Sequence, residues 1–197
     1  MTKSLKNSLT MYNLMRAFAG ESQARNRYTF AAQIAHQKKL PILEKLFQVT
    51  ADQEKAHAKV FYDFLQPCTG EEIEITGSYP VDYGNDLAFQ LETAHHNEYK
   101  EFEEVYPAFA KVAEDEGFLP IAHAFREIAK VEQTHGDLFS RYLTLLKDGN
   151  LFAPPISTTF LCTNCGYIYE GDQVPNQCPI CKEEQGYFIR IEEAMFH

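Results

Sequence analysis

The 197-residue chain is 45% hydrophobic and 23% charged, room for one medium-sized domain and a small second one, and its net charge of −10 argues against nucleic acid, whose phosphates call for a basic surface. The N-terminal residues lack the apolar core of a signal peptide, and no stretch holds the roughly 18 consecutive apolar residues of a membrane helix, so the expected setting is cytoplasmic with no membrane partner. In that setting five cysteines point to metal or redox chemistry ahead of disulfides.

Helical periodicity runs from about residue 8 to residue 147, with breaks near Lys39 to Pro41, between Pro67 and Gly84, and around Gly117 to Pro120. This predicts a mainly α domain over residues 1–147, a four-helix bundle in which the Pro- and Gly-containing stretch after Pro67 crosses one end, as in a ferritin-like topology. Pro107 should kink the third helix or distort one of its turns. Residues 148–159, with paired prolines, read as a stiff linker. Residues 160–197 alternate short aromatic and β-branched pieces with Gly, Pro and Cys, which predicts a small β-rich metal domain.

Each helix carries a seam with residues spaced three and four apart. The first runs Leu14, Phe18, Glu21, Tyr28, Ala32, and the second Leu43, Phe47, Thr50, Glu54, His57, Phe61, Phe64. The third runs Leu87, Leu91, Ala94, Glu98, Glu101, Val105, Ala108, and the fourth Ile121, Phe125, Ile128, Glu132, His135, Phe139, Tyr142, Leu146. Every seam therefore has glutamate where a core expects leucine, and none has Lys or Arg to balance it. Burying an ionised carboxylate costs several kcal/mol unless something positive compensates, and a metal ion does so. Glu54-x-x-His57 and Glu132-x-x-His135 place a carboxylate and an imidazole on one helix face, and glutamates from the other two helices complete the pattern of dinuclear carboxylate bundles, with one glutamate to spare. Mixed carboxylate and imidazole ligands suit iron or manganese over structural zinc. Glu21 precedes Glu54 by 33 residues and Glu98 precedes Glu132 by 34, an internal echo of two helix pairs. Glu92, Glu103, Glu104, Glu114 and Glu116 read as a solvated face, and His36, His95, His96, His123 and His197 as surface or packing residues.

Cys162-Thr-Asn-Cys165 and Cys178-Pro-Ile-Cys181, twelve residues apart, offer four thiolates to one ion. Spacing alone leaves iron and zinc even; Gly166, Tyr167 and Pro179, placed similarly to those of rubredoxins, together with the redox bundle upstream, favour iron. Cys68 lies in the crossing segment with no partner motif and reads as a bystander.

Over nearly its whole length the chain resembles the rubrerythrin family, in AGESQARNRY, ADQEKAHA, NEYKEFEEVYPAFAKVA, VEQTHGDLF, CTNCGYIYEG and CPIC. The resemblance implies a ferritin-like di-iron domain followed by a rubredoxin-like domain. It implies a non-haem peroxidase reducing hydrogen peroxide, with seven iron ligands, Glu21, Glu54, His57, Glu98, Glu101, Glu132 and His135. Glu101 and His57 would exchange at one iron, and Tyr28 and Tyr106 would stand beside the ligands. A third iron on Cys162, Cys165, Cys178 and Cys181 would return electrons from rubredoxin or its reductase, ultimately from NADH. No Gly-rich dinucleotide fingerprint appears, so NADH is not expected to bind here. A head-to-tail homodimer is expected to bring the tetracysteine iron of one subunit to the di-iron site of the other. Two alternatives stay open: a ferritin-like ferroxidase that handles iron, and a scaffold whose zinc knuckle binds a partner.

Overall fold

A computed structural model describes residues 4–193; His197 lies outside the described residues. Helix α1 spans Leu9–Gln37, α2 Pro41–Phe64, α3 Leu87–Lys100, α4 Tyr106–Asp115 and α5 Leu119–Lys147. The first two form one hairpin; α3 and α4 pack against α5 in the second. Helix ends follow local chemistry. Ser8 Oγ accepts from the Met11 N–H at 3.0 Å at the start of α1, Asp86 caps α3, and prolines sit in the first turns of α2, α4 and α5. Glu116, expected on a solvated face, instead accepts from the backbone N–H groups of Leu9 and Thr10 at 3.1 and 2.8 Å. It thereby places a carboxylate on the positive end of α1 and ties the two hairpins together.

Between α3 and α4, residues Glu101–Val105 form a π-helical turn, closed by the Tyr106 N–H bonding to the Glu101 carbonyl. Pro107, which lacks the N–H an α-helix needs, follows at once. The sequence places the distortion correctly but misreads its effect on the faces. Val105 is only half-buried and Ala108 is exposed, while Tyr106, Ala110 and Ala113 fill the core. The π turn adds one residue, which rotates everything after it by one position.

After a short 3-10 turn at Gln66–Cys68, the crossing segment lies along the bundle as a strap. Asp82 anchors it, accepting from Arg27 Nη1 at 2.6 Å and Asn97 Nδ2 at 2.9 Å, while Tyr79 OH donates to the Arg16 carbonyl at 3.0 Å. Cys68 is buried.

Beyond α5, β1 (Thr158–Cys162), β2 (Ile168–Gly171) and β3 (Phe188–Arg190) form an antiparallel sheet of order β2-β1-β3 over a core of Phe160, Val174 and Phe188. This module seats on the α1–α2 turn. Ile189 packs into the cluster of Ile42, Tyr142 and Leu151, and Lys39 pairs with Glu184 at 2.5 Å. Gly186 is the tightest point: a Cβ there would lie 1.8 Å from the Lys39 carbonyl oxygen. Gly186→Ala is therefore expected to unseat the small module while leaving the bundle folded. Faster protease cleavage in residues 148–157 with unchanged helical circular dichroism would show it; unchanged cleavage would count against the seating contact.

Candidate metal centres

Glu21, Glu54 and Glu132 lie near mid-height of their helices and Glu98 near the end of α3, just ahead of the π turn, and all four are almost fully buried. The layer they form separates two apolar clusters, each presenting an aromatic triad. Tyr28, Phe47 and Phe139 lie on one side with ring centroids 5.2–6.1 Å apart, and Tyr106, Phe61 and Phe125 on the other at 5.0–5.9 Å. One tyrosine in each triad turns its hydroxyl to the layer and crosses between hairpins: Tyr28 donates to Glu98, and Tyr106 donates to Glu21.

The ligand-type atoms gather into two overlapping groups, Glu21, Glu54, His57 and Glu132 in one and Glu54, Glu98, Glu132 and His135 in the other, each set lying within 4.8 Å. Glu54 and Glu132 belong to both. His57 Nδ1 lies 3.0 Å from both Glu54 and Glu132, and His135 Nδ1 lies 2.9, 3.1 and 3.6 Å from Glu132, Glu54 and Glu98. Close approach does not make these atoms satisfied. Glu21 Oε2, Glu54 Oε1, Glu98 Oε2, both oxygens of Glu132 and His135 Nδ1 are buried without a hydrogen-bond partner. Buried polar atoms are otherwise almost always paired, so this convergence fits two cations better than any arrangement of protein groups.

Protonation shows the same frustration. Burial pushes Glu54 up, but the imidazoles of His135 and His57 beside it outweigh that and hold the carboxyl down to about 2. Burial pushes both imidazoles down, while Glu132 and Glu54 raise His57 to about 9 and, with Glu98, raise His135 to about 12. Burial lifts Glu21, Glu98 and Glu101 well above the usual carboxylate range, helped by neighbouring carboxylates.

Of the seven residues singled out in the bundle, the structure brings six into the two groups. Glu101 stands outside them, half-buried on the π turn. Two neighbours escaped sequence reasoning. Gln53 Oε1 lies 3.0 Å from His135 Nε2, which leaves Nδ1 to face the carboxylates; nothing distinguishes this exposed glutamine in sequence from a surface residue. Gly136 follows His135, and a Cβ there would meet the Tyr99 ring at 2.6 Å, so its bareness lets α3 and α5 approach beside Glu98 and His135.

In the small module, Cys162 Sγ lies 3.6 Å from Cys181 Sγ, and Cys165 Sγ 3.6 Å from Cys178 Sγ. These separations approach the tetrahedron edge of about 3.8 Å implied by metal–sulfur bonds of ~2.3 Å. The two knuckles match. Gly166 N–H closes onto the Cys162 carbonyl and Lys182 N–H onto the Cys178 carbonyl, at 2.8 and 3.0 Å, with both Gly166 and Lys182 at positive φ. A hydrogen bond from the Asn164 side chain and the backbone N–H of Glu183 bring the Cys181 thiol down to about 6, whereas burial pushes Cys162 up to about 12.

Fold and site together define a ferritin-like bundle with a dinuclear carboxylate centre, joined to a rubredoxin-like tetrathiolate module. The family model "Rubrerythrin" matches residues 12–143, and "Rubrerythrin, rubredoxin-like domain" matches residues 160–189. The chain belongs to the rubrerythrin family. It is 42% identical to the rubrerythrin of Clostridium perfringens, over 98% of this chain and 99% of that protein, and 43% identical to that of Porphyromonas gingivalis, over 95% and 92%. Among solved structures it is similar to the fully reduced, all-ferrous state of nigerythrin, with 26% identity, a TM-score of 0.63, and coverage of 95% of this chain and 92% of that one. Among the described residues no helix is long and apolar enough to cross a membrane.

Metal loading should expel protons. With His57 at about 9 and His135 at about 12, both imidazoles are protonated at pH 7.5, and each must turn neutral to bind a cation. Titration calorimetry in buffers of different ionisation enthalpy is expected to show at least one proton released per histidine, with apparent affinity climbing as pH rises towards 9. Metal binding without proton release at pH 7.5 would contradict this assignment.

Proposed function

We propose that this chain is a cytoplasmic non-haem di-iron peroxidase that reduces hydrogen peroxide to water, fed with electrons by an iron in a tetracysteine site. What carries this reading is the pair of overlapping ligand groups that share Glu54 and Glu132, in the same chain as a four-thiolate site. The rubrerythrin relatives and the all-ferrous nigerythrin state support iron in both places.

Glu21 with His57 and Glu98 with His135 would each hold one ion, and Glu54 and Glu132 would lie between the two. Glu101 and His57 would be alternative ligands on the Glu21 side. A reduced iron pair bound there supplies two electrons together, so the O–O bond is cleaved without release of a one-electron radical. The two aromatic triads exclude water above and below, and Tyr28 and Tyr106 fix the orientation of Glu98 and Glu21 through their hydroxyls. Burial and the neighbouring carboxylates Glu98, Glu132 and Glu54 push the Glu101 carboxyl well above the usual carboxylate range, and it would serve as a proton donor at the edge of the ligand groups.

Within one chain the two centres are far apart. The small module seats at the start of α2, and Pro41 to Glu54 is 13 residues of helix, about 20 Å of rise. This supports a head-to-tail homodimer in which the tetracysteine iron of one subunit serves the other. The external donor would be rubredoxin or a rubredoxin reductase, drawing ultimately on NADH.

Metal analysis with visible spectroscopy on anaerobically reduced, iron-loaded protein, before and after one addition of peroxide, tests the reading. About three irons per chain are expected, with the tetracysteine iron reoxidising and turning red as peroxide disappears. Many more irons per chain would favour ferroxidase and storage, and zinc on the cysteines with no peroxide loss would favour a scaffold. Cys165→Ser should reduce steady-state turnover to background yet leave a single round of peroxide reduction by the pre-reduced bundle. Full steady-state turnover in that variant would remove the cysteine site from the electron path.

A further inference from the structure

A cavity of about 480 Å³ lies between the strap, α1 and the π turn. Glu101 and Tyr106 line it, and Tyr106 is the residue whose hydroxyl is bonded to Glu21, so the cavity reaches the wall of the dinuclear site. Its size exceeds what hydrogen peroxide requires. A water occupies about 30 Å³ of liquid and peroxide roughly twice that, whereas ~300–1,000 Å³ is the range of sites that enclose organic ligands. The wall is mixed: Ala17, Pro80, Val105 and Phe109 supply apolar surface, and Arg16, Arg27, Asp82, Lys100 and Glu101 supply charge. Gly20 lines the cavity on α1 just before Glu21, and a Cβ there would sit in ordinary contact with the Tyr79 ring at 3.6 Å. The strap is held in place by Asp82 bound to Arg27 and Asn97, so the chamber has a fixed roof.

We infer that this chamber is a binding site for organic hydroperoxides carrying a compact alkyl or aryl group, which makes the chain a reductase for them as well as for hydrogen peroxide. The organic group lies against Ala17, Pro80, Val105 and Phe109, and the O–O group points to Glu101. The reaction is ROOH + 2 e⁻ + 2 H⁺ → ROH + H₂O: the O–O bond breaks, each oxygen ends with a bond to hydrogen, and the electrons are those of the reduced site. This inference rests on the peroxidase reading and extends it to a substrate class.

Two measurements on the full-length protein test it. The first compares kcat/KM for cumene hydroperoxide and hydrogen peroxide in the parent chain and in Ser78→Trp, which fills the chamber from the exposed strap. The ratio of the two values should fall about tenfold, the scale on which a pocket discriminates by size. The second is independent of turnover: saturation-transfer NMR with 2-phenylpropan-2-ol, the alcohol product, should show binding to the parent chain that is lost in Ser78→Trp. Turnover of hydrogen peroxide without cumene hydroperoxide, or a ratio and alcohol signal unmoved by Ser78→Trp, would overturn the chamber assignment and leave the peroxidase reading standing. Failure of iron-loaded protein to reduce either hydroperoxide would overturn both.

Discussion

Four glutamates share one layer in the middle of a helical bundle with no lysine or arginine among them, and the rest of the molecule is arranged around that electrostatic problem. Left to protein groups alone, the layer borrows charge from two histidines and still leaves carboxylate oxygens unpaired. A bundle built for stability alone would carry leucine at these heights. What keeps the layer from drawing in water is the apolar packing above and below it, where two aromatic triads close the core on each side. The cross-ties from Tyr28 and Tyr106 then make each hairpin hold a carboxylate belonging to the other, so the layer also couples the halves of the bundle mechanically.

The same geometry determines how the two centres can communicate. The tetracysteine module is fastened to one end of the bundle by Ile189, Gly186 and the Lys39–Glu184 pair, whereas the carboxylate layer is at mid-height. Its position is set by shape, because the glycine accepts a backbone carbonyl where any side chain would collide. A module seated in this way lies at the end of the bundle, away from its own chain's carboxylate layer, which is the geometry behind the proposed head-to-tail dimer.

Much of this was readable beforehand because the relevant signals are local. The Glu-x-x-His pairs, the seams and the Cys-x-x-Cys knuckles each depend on spacing within one element, and the structure gathers six of the seven bundle residues and all four thiols where spacing puts them. What the sequence hid depends on contacts between elements. Gln53 matters only because α5 brings His135 beside it, Glu116 only because α1 starts nearby, and the chamber only because the strap roofs α1. The face after Pro107 was misassigned for a different reason: periodicity assumes a constant 3.6 residues per turn, and the π turn breaks that assumption.

That one extra residue also explains why the internal echo is imperfect. Glu54 and Glu132 each stand 13 residues into their helices, and the two hairpin turns have equal length, so the difference between spacings of 33 and 34 falls within the α3–π–α4 segment. Tyr28 follows Glu21 by seven residues and Tyr106 follows Glu98 by eight, and the position that corresponds to Glu101 in the first hairpin is Ala24. The extra residue of the π turn therefore breaks the equivalence of the two helix hairpins. With Ala24 at the place of Glu101, one flank of the carboxylate layer is closed by alanine and the other faces the chamber with a spare acid, so that the two halves present unlike faces to whatever enters.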